Sequence, residues 1–153
     1  MRKFFTRHML LALSLSISTM IAFGVPSVTL SSVAIPASSL PQGSDINVLY
    51  AVQMSVSTDP VTVNSVQLTL SGTHDADDLG FLRVYFNPSA ATISGATLVN
   101  YVNGTFAAPH TYTITSLNRT ITAGSSGYFI IAVDVDNTAN DNRTIKINGA
   151  TNP

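Results

Sequence analysis

Apolar and polar residues alternate along much of this chain with a period of two, the period of a β-strand that buries one face. The clearest run is "INVLYAVQMSV". Ile46, Val48, Tyr50, Val52, Met54 and Val56 share one parity; Asn47, Leu49, Ala51, Gln53 and Ser55 hold the other. "STDP" then turns the chain. In "VTVNSVQLTLSG", Val66, Leu68 and Leu70 share a face, whereas Val61 and Val63 have the opposite parity. A bulge or a change of face is therefore expected near Asn64–Ser65. Further strands are expected in "FLRVYFNP", in "TYTITSL" and in "RTIKING". Two short strands are expected around Asn103–Gly104, which carries a hairpin signal.

The stretch "ITAGSSGYFIIAVDVD" differs from these. Phe129, Ile131, Val133 and Val135 fall on one side, and Tyr128, Ile130, Ala132 and Asp134 on the other. A nearly continuous apolar run predicts a central strand covered on both faces. Tyr128 at its start resembles the tyrosine corner of immunoglobulin-like sandwiches. At the other end of the chain, Val28, Leu30, Val33 and Ile35 predict a short edge strand whose face shifts between Leu30 and Val33. Pro26, Pro36 and Pro41 flank it, as edges permit. The whole reads as all-β: an immunoglobulin-like Greek-key β-sandwich of roughly seven to nine strands, with no convincing helix. A closed barrel is the alternative. Val52 and Ile131 are the expected centre of the core.

Composition sharpens this picture. The chain has no Cys, Glu or Trp and is rich in Ser, Thr, Asn, Val and Ile. Without disulfides, the core alone must hold the fold. Arg2, Lys3 and Arg7 precede a mainly apolar stretch from Met9 to Phe23, with small residues at Ala22 and Gly24. That is the pattern of a secretory signal peptide. A retained anchor is the alternative, although the stretch carries several Ser and Thr and is marginal for a bilayer core of roughly 30 Å. The expected organisation is a signal peptide at 1–24, an N-terminal edge strand with a Pro-rich joint at 25–41, and a β-sandwich domain at 42–153. Secretion or display at the cell surface follows from it. Beyond residue 24, Arg83, Arg119, Arg143 and Lys146 stand against eight acidic residues, all Asp. No basic patch forms, so neither nucleic acid nor, after cleavage, a membrane is an expected partner.

Candidate chemistry is sparse. "HDADD" places His74, Asp75, Asp77 and Asp78 in one loop. Asp75, Asp77 and Asp78 are candidate calcium ligands, since closely spaced carboxylates can chelate Ca²⁺. The spacing is not that of an EF-hand loop, and a solvated turn is the favoured reading. Asp134, Asp136 and Asp141 form a second acidic group, read as turn chemistry. No other cofactor is implied. Asn103, Asn118 and Asn142 head glycosylation triplets. No nucleophile elbow or Gly-rich phosphate loop is present, and no enzyme is expected.

Three segments together, "LPQGS…VLY", "LSGT…ADDL…RVYF" and "G..GYF.I..DV", resemble a secreted bacterial module. It is the N-terminal domain associated with BNR-repeat neuraminidases in surface proteins of Bacteroidetes-type bacteria. The resemblance spans about residues 27–148 and contains no catalytic motif, so it implies a β-sandwich and no sialidase activity. The expected role is non-catalytic: structural, adhesive or spacer, with other domains or subunits of a surface assembly as partners. Two alternatives are kept. One is a self-assembling surface filament subunit that exchanges residues 25–35 as a strand between copies. The other is a carbohydrate-binding module using Tyr85 and Tyr101.

Overall fold

A computed structural model describes residues 25–148; the expected signal peptide at 1–24 and the last five residues lie outside them. Ten strands follow in order: β1 Val28–Val33, β2 Asn47–Val56, β3 Val61–Val63, β4 Val66–Gly72, β5 Leu79–Asn87, β6 Thr97–Asn103, β7 His110–Ile114, β8 Arg119–Ile121, β9 Ser126–Val135 and β10 Ile145–Asn148. Five of them form a sheet in the order β1-β2-β9-β5-β6. The smaller layer is β10-β4-β7, accompanied by the two-stranded ladder β3-β8. Every pairing is antiparallel. The fold is the all-β sandwich that the alternation predicts, with no helix among the described residues. Correspondingly, no helix among them is long and apolar enough to cross a membrane.

β9 is the central strand, paired with β2 on one side and β5 on the other. Its two faces separate as its sequence requires. Phe129, Ile131, Val133 and Val135 enter the main core, with Val52, Leu70, Leu82, Val84 and Phe106. Ile130 and Ala132 enter a second cluster on the outer face of the large sheet, with Ala51 and Tyr85. Val33, Ile35, Ala91, Ile93 and Ala96 cover that cluster. The joint after β1 and the 88–96 loop thus cover the outer face, which explains why β9 is apolar on both sides. β1 shows the expected shift of face: Val28 and Leu30 line the inner side, while Val33 packs outward.

Four local expectations need correction. First, the parity of β2 breaks at a bulge between Val48 and Tyr50. Val48 packs against the outer cluster, Leu49 against the main core, and Ile46 is exposed at a φ of 56°. An extra residue in one strand moves everything before it to the other face. Secondly, no hairpin forms at Asn103–Gly104. β6 is one strand paired with β5, and β7 crosses to the other sheet to pair with β4. Phe106, 1% exposed, is drawn into the core between them, and its N–H reaches Ala76 O at 2.6 Å. Thirdly, Tyr128 packs beside the outer cluster and its hydroxyl makes no hydrogen bond among the described residues, so the corner bond is not made. Fourthly, ten strands exceed the expected count, because one run breaks into β3 and β4 at Asn64–Ser65 and another into β7 and β8. Val61 and Val63 take the opposite parity because β3 pairs with β8, not with β7.

Candidate functional site

The "HDADD" loop joins β4 to β5 and lies against the loop between β9 and β10. Gly72 makes the approach possible. Its φ is 121°, and a Cβ there would lie 2.1 Å from Thr144 O. With no side chain in the way, Thr73 N and His74 N both reach Thr144 O, at 2.9 and 3.2 Å. His74 is 5% exposed. Its Nε2 lies 3.0 Å from Phe106 O and its Nδ1 3.3 Å from Thr144 O. A hydrogen on Nε2 donates to Phe106 O, tying the loop to the β6–β7 connection.

Asp78 is buried and folds its carboxylate over its own loop. Oδ2 accepts from Asp75 N at 2.7 Å, and Oδ1 from Asn140 N at 2.8 Å. Asp75 accepts from Arg143 Nη2 at 2.8 Å and from Asn140 Nδ2 at 3.2 Å. Arg143 also donates to Thr73 O at 3.0 Å. The Asp75–Arg143 pair is half-exposed, and solvent screening leaves such pairs little net stability. Asp77 is exposed and makes no hydrogen bond. The three candidate calcium ligands are therefore not assembled into one ligand set: two accept from protein N–H groups and one faces solvent. Among the described residues no three His or Asp side chains group as a metal site.

The second acidic group is dispersed. Asp134 sits on the outer face of β9, 4% exposed. It accepts from Ile46 N at 2.8 Å and from Arg83 Nε at 2.9 Å, with Arg83 Nη2 closing a two-pronged pair. The hydrogen bond to Asp134 raises the Arg83 pKa further above its ordinary value. Asp136 is tied to Thr138, whose Oγ1 and N donate at 2.7 and 2.8 Å. Asp141 is exposed. Asp134 and Asp136 each serve their own strand or turn, and the Asp141 side chain makes no hydrogen bond among the described residues.

Of the two tyrosines considered for glycan contact, Tyr85 is 7% exposed and belongs to the outer cluster, so it offers no free face. Tyr101 is 49% exposed and meets Phe81 edge-on at 5.8 Å between ring centres. The Arg83 guanidinium lies 4.7 Å from the Phe81 ring centre. This strip of Tyr101, Phe81, Arg83 and Asp134 was not legible as a unit. The available signal was a lone charge in each of two apolar strands, at outward parity. The three sequon residues Asn103, Asn118 and Asn142 are exposed.

No protein-family model, no curated protein and no solved structure matches the chain. The resemblance to the neuraminidase-associated module rests on the quoted residues.

Proposed function

We propose that this protein is an exported, non-catalytic β-sandwich module with a structural, adhesive or spacer role at the cell surface. The observation that carries the reading is the use of the buried polar side chains. His74, Asp78, Asn87 and Asp134 are the buried polar residues among those described. Each holds backbone of its own chain. His74 contacts Phe106 O; Asp78 accepts from Asp75 N and Asn140 N. Asn87 donates to Thr92 O and Ser94 O, and Asp134 accepts from Ile46 N. These are the connections of a scaffold, spent on fixing loops to sheets. The resemblance to a secreted module points the same way, and the partners would be other domains or subunits of a surface assembly. The test is antibody labelling of intact native cells, combined with N-terminal sequencing. Labelling at the surface and a first residue just after Gly24 are expected. A cytoplasmic product beginning at Met1 would sink the reading.

A second reading, assembly between copies through residues 25–35, is favoured by β1. Among the described residues that strand forms a ladder with β2, in the register Val28↔Val56 to Val33↔Ala51, and all but Val33 are exposed. The joint from 34 to 46 that follows contains no strand.

A further inference from the structure

The outer face of the large sheet changes character along β5. Around Tyr85 it is packed under Val33, Ile35, Ile93 and Ala96. Toward the start of the strand it meets water: Phe81 and Arg83 are half-buried, and Tyr101 and Asn103 on β6 are exposed. The register sets Phe81 opposite Asn103 and Arg83 opposite Tyr101, with Asp134 of β9 on the other side of Phe81. Side chains of directly paired residues share a face and touch. The described chain begins and ends elsewhere. Val28 lies against Val56, at the far end of β2, and Asn148 lies against Thr69 in the other sheet.

This strip is built rigidly. The Arg83 guanidinium lies 4.7 Å from the Phe81 ring centre, and Tyr101 meets the same ring edge-on at 5.8 Å. Asp134 holds the guanidinium in a two-pronged pair and is itself fixed by Ile46 N at 2.8 Å. The Tyr101 ring is thus propped against a fixed neighbour while it stays 49% exposed. Side chains ordered in advance lose little entropy on binding. The polar groups around the ring are also free. The Tyr101 hydroxyl, the Asn103 amide and Arg83 Nη1 make no hydrogen bond among the described residues. Asp45, exposed, lies close enough for its charge to act on Arg83. Elsewhere the buried polar side chains are spent on backbone; here they surround an open aromatic face.

Size, charge and chemistry together define the occupant. From β6 to β9 is two strand spacings, about 10 Å. That is far less than a protein partner needs, at about 800 Å² a side, so the ligand is small. One guanidinium stands beside the carboxylates of Asp134 and Asp45, so no excess positive charge is present to hold an anion. An aromatic face ringed by donors and acceptors suits a neutral molecule that is apolar on its faces and polar at its rim. A pyranose with equatorial hydroxyls is such a molecule: C–H bonds cover each face and hydroxyls surround it. The ring quadrupole, negative at the face, attracts those C–H bonds. We propose that the strip binds a neutral, β-linked saccharide of equatorially substituted pyranoses. One unit stacks on Tyr101, and its hydroxyls accept from Arg83 Nη1 and Asn103 and donate to Asp45. This inference rests on the adhesive form of the surface-module reading and gives it a ligand class.

The test is an NMR titration of the full chain with cellohexaose, a β-linked glucose chain, and separately with tetramethylammonium. Cellohexaose is expected to move the amide resonances of Phe81, Arg83, Tyr101 and Asn103. Tyr101→Ala should weaken binding by at least about tenfold, with an unchanged circular dichroism spectrum, because the ring it removes is exposed. Tyr101→Phe keeps the ring face and should keep the binding. No shift at millimolar cellohexaose overturns the proposal, as do shifts confined to another part of the molecule or binding that survives Tyr101→Ala. Tetramethylammonium acting on the same resonances at lower concentration than cellohexaose also overturns it, and makes the strip a cation site. Any of these failures leaves the structural and spacer roles standing. A cytoplasmic product that still binds cellohexaose through Tyr101 keeps the site and sinks the surface reading, so the two can fail separately.

Discussion

Tyr50 faces the main core with a hydroxyl that finds no partner. Burial pushes its pKa above the ordinary 10.0, because the phenolate would be poorly solvated there. A buried hydroxyl without a partner carries a desolvation cost of about 1–3 kcal/mol. Tyr50→Phe is therefore expected to stabilise the monomer by about 1 kcal/mol in urea unfolding. Asp136 offers the opposite case. The Thr138 hydroxyl, then the Thr138 N–H, hold its carboxyl below the ordinary 3.8. Because the folded value is the lower one, its contribution is present above the ordinary pKa and is lost as pH falls through the folded value. Titration of Asp136 by NMR should give a midpoint below 3.8, and Thr138→Val should move it up. Gly127 is fixed by close approach instead: a Cβ there would lie 2.3 Å from the Phe86 ring. Gly127→Ala should displace that ring and cost about 1–3 kcal/mol by overpacking.

Among the elements, β9 was the most legible and β2 the most misleading. β2 alternates cleanly in sequence, whereas β9 is apolar on both parities. β9 keeps register with β2 through most of its length, so its two faces match its parity. β2 contains the bulge, and a bulge is a property of the pair, invisible in one strand. The loops follow the same rule. That "HDADD" is a loop is plain from its polarity, but its function as an anchor depends on Asn140, Arg143 and Thr144, distant in sequence. Asp78→Ala removes the acceptor for two backbone N–H groups at once. The expected cost is about 1–3 kcal/mol, with faster amide hydrogen exchange at Asp75 and Asn140. Ca²⁺ titration should show no site tighter than roughly 10⁻⁴ M, the weak extracellular range. A micromolar isotherm abolished by Asp77→Ala would reinstate the calcium reading.

For the molecule as a whole, one apolar interior between two sheets supplies most of the stability, with a thinner cluster outside the large sheet. Ile131 is 2% exposed in the main core, facing Tyr50 across β2 and Val84 across β5. Ile131→Ala should cost about 2–4 kcal/mol through lost transfer energy and the residual cavity. By contrast, a truncation on β1, which packs at an edge, should cost less. Urea unfolding of Ile131→Ala and Leu30→Ala compares the two, and equal losses would contradict that difference.

By itself the sequence determined the class of fold, the central position of β9, the change of face in β1 and the break at Asn64–Ser65. All of these rest on period-two burial and turn chemistry, which act over a few residues and leave a local trace. Only the tertiary structure decided the bulge at Leu49, the path of β7 into the second sheet, the coupling of Asp78 to Asn140 and the gathering of Phe81, Arg83 and Tyr101 on one face. Those depend on which strands become neighbours. Pairing is a relation between segments far apart in the chain, and no single stretch of sequence carries it.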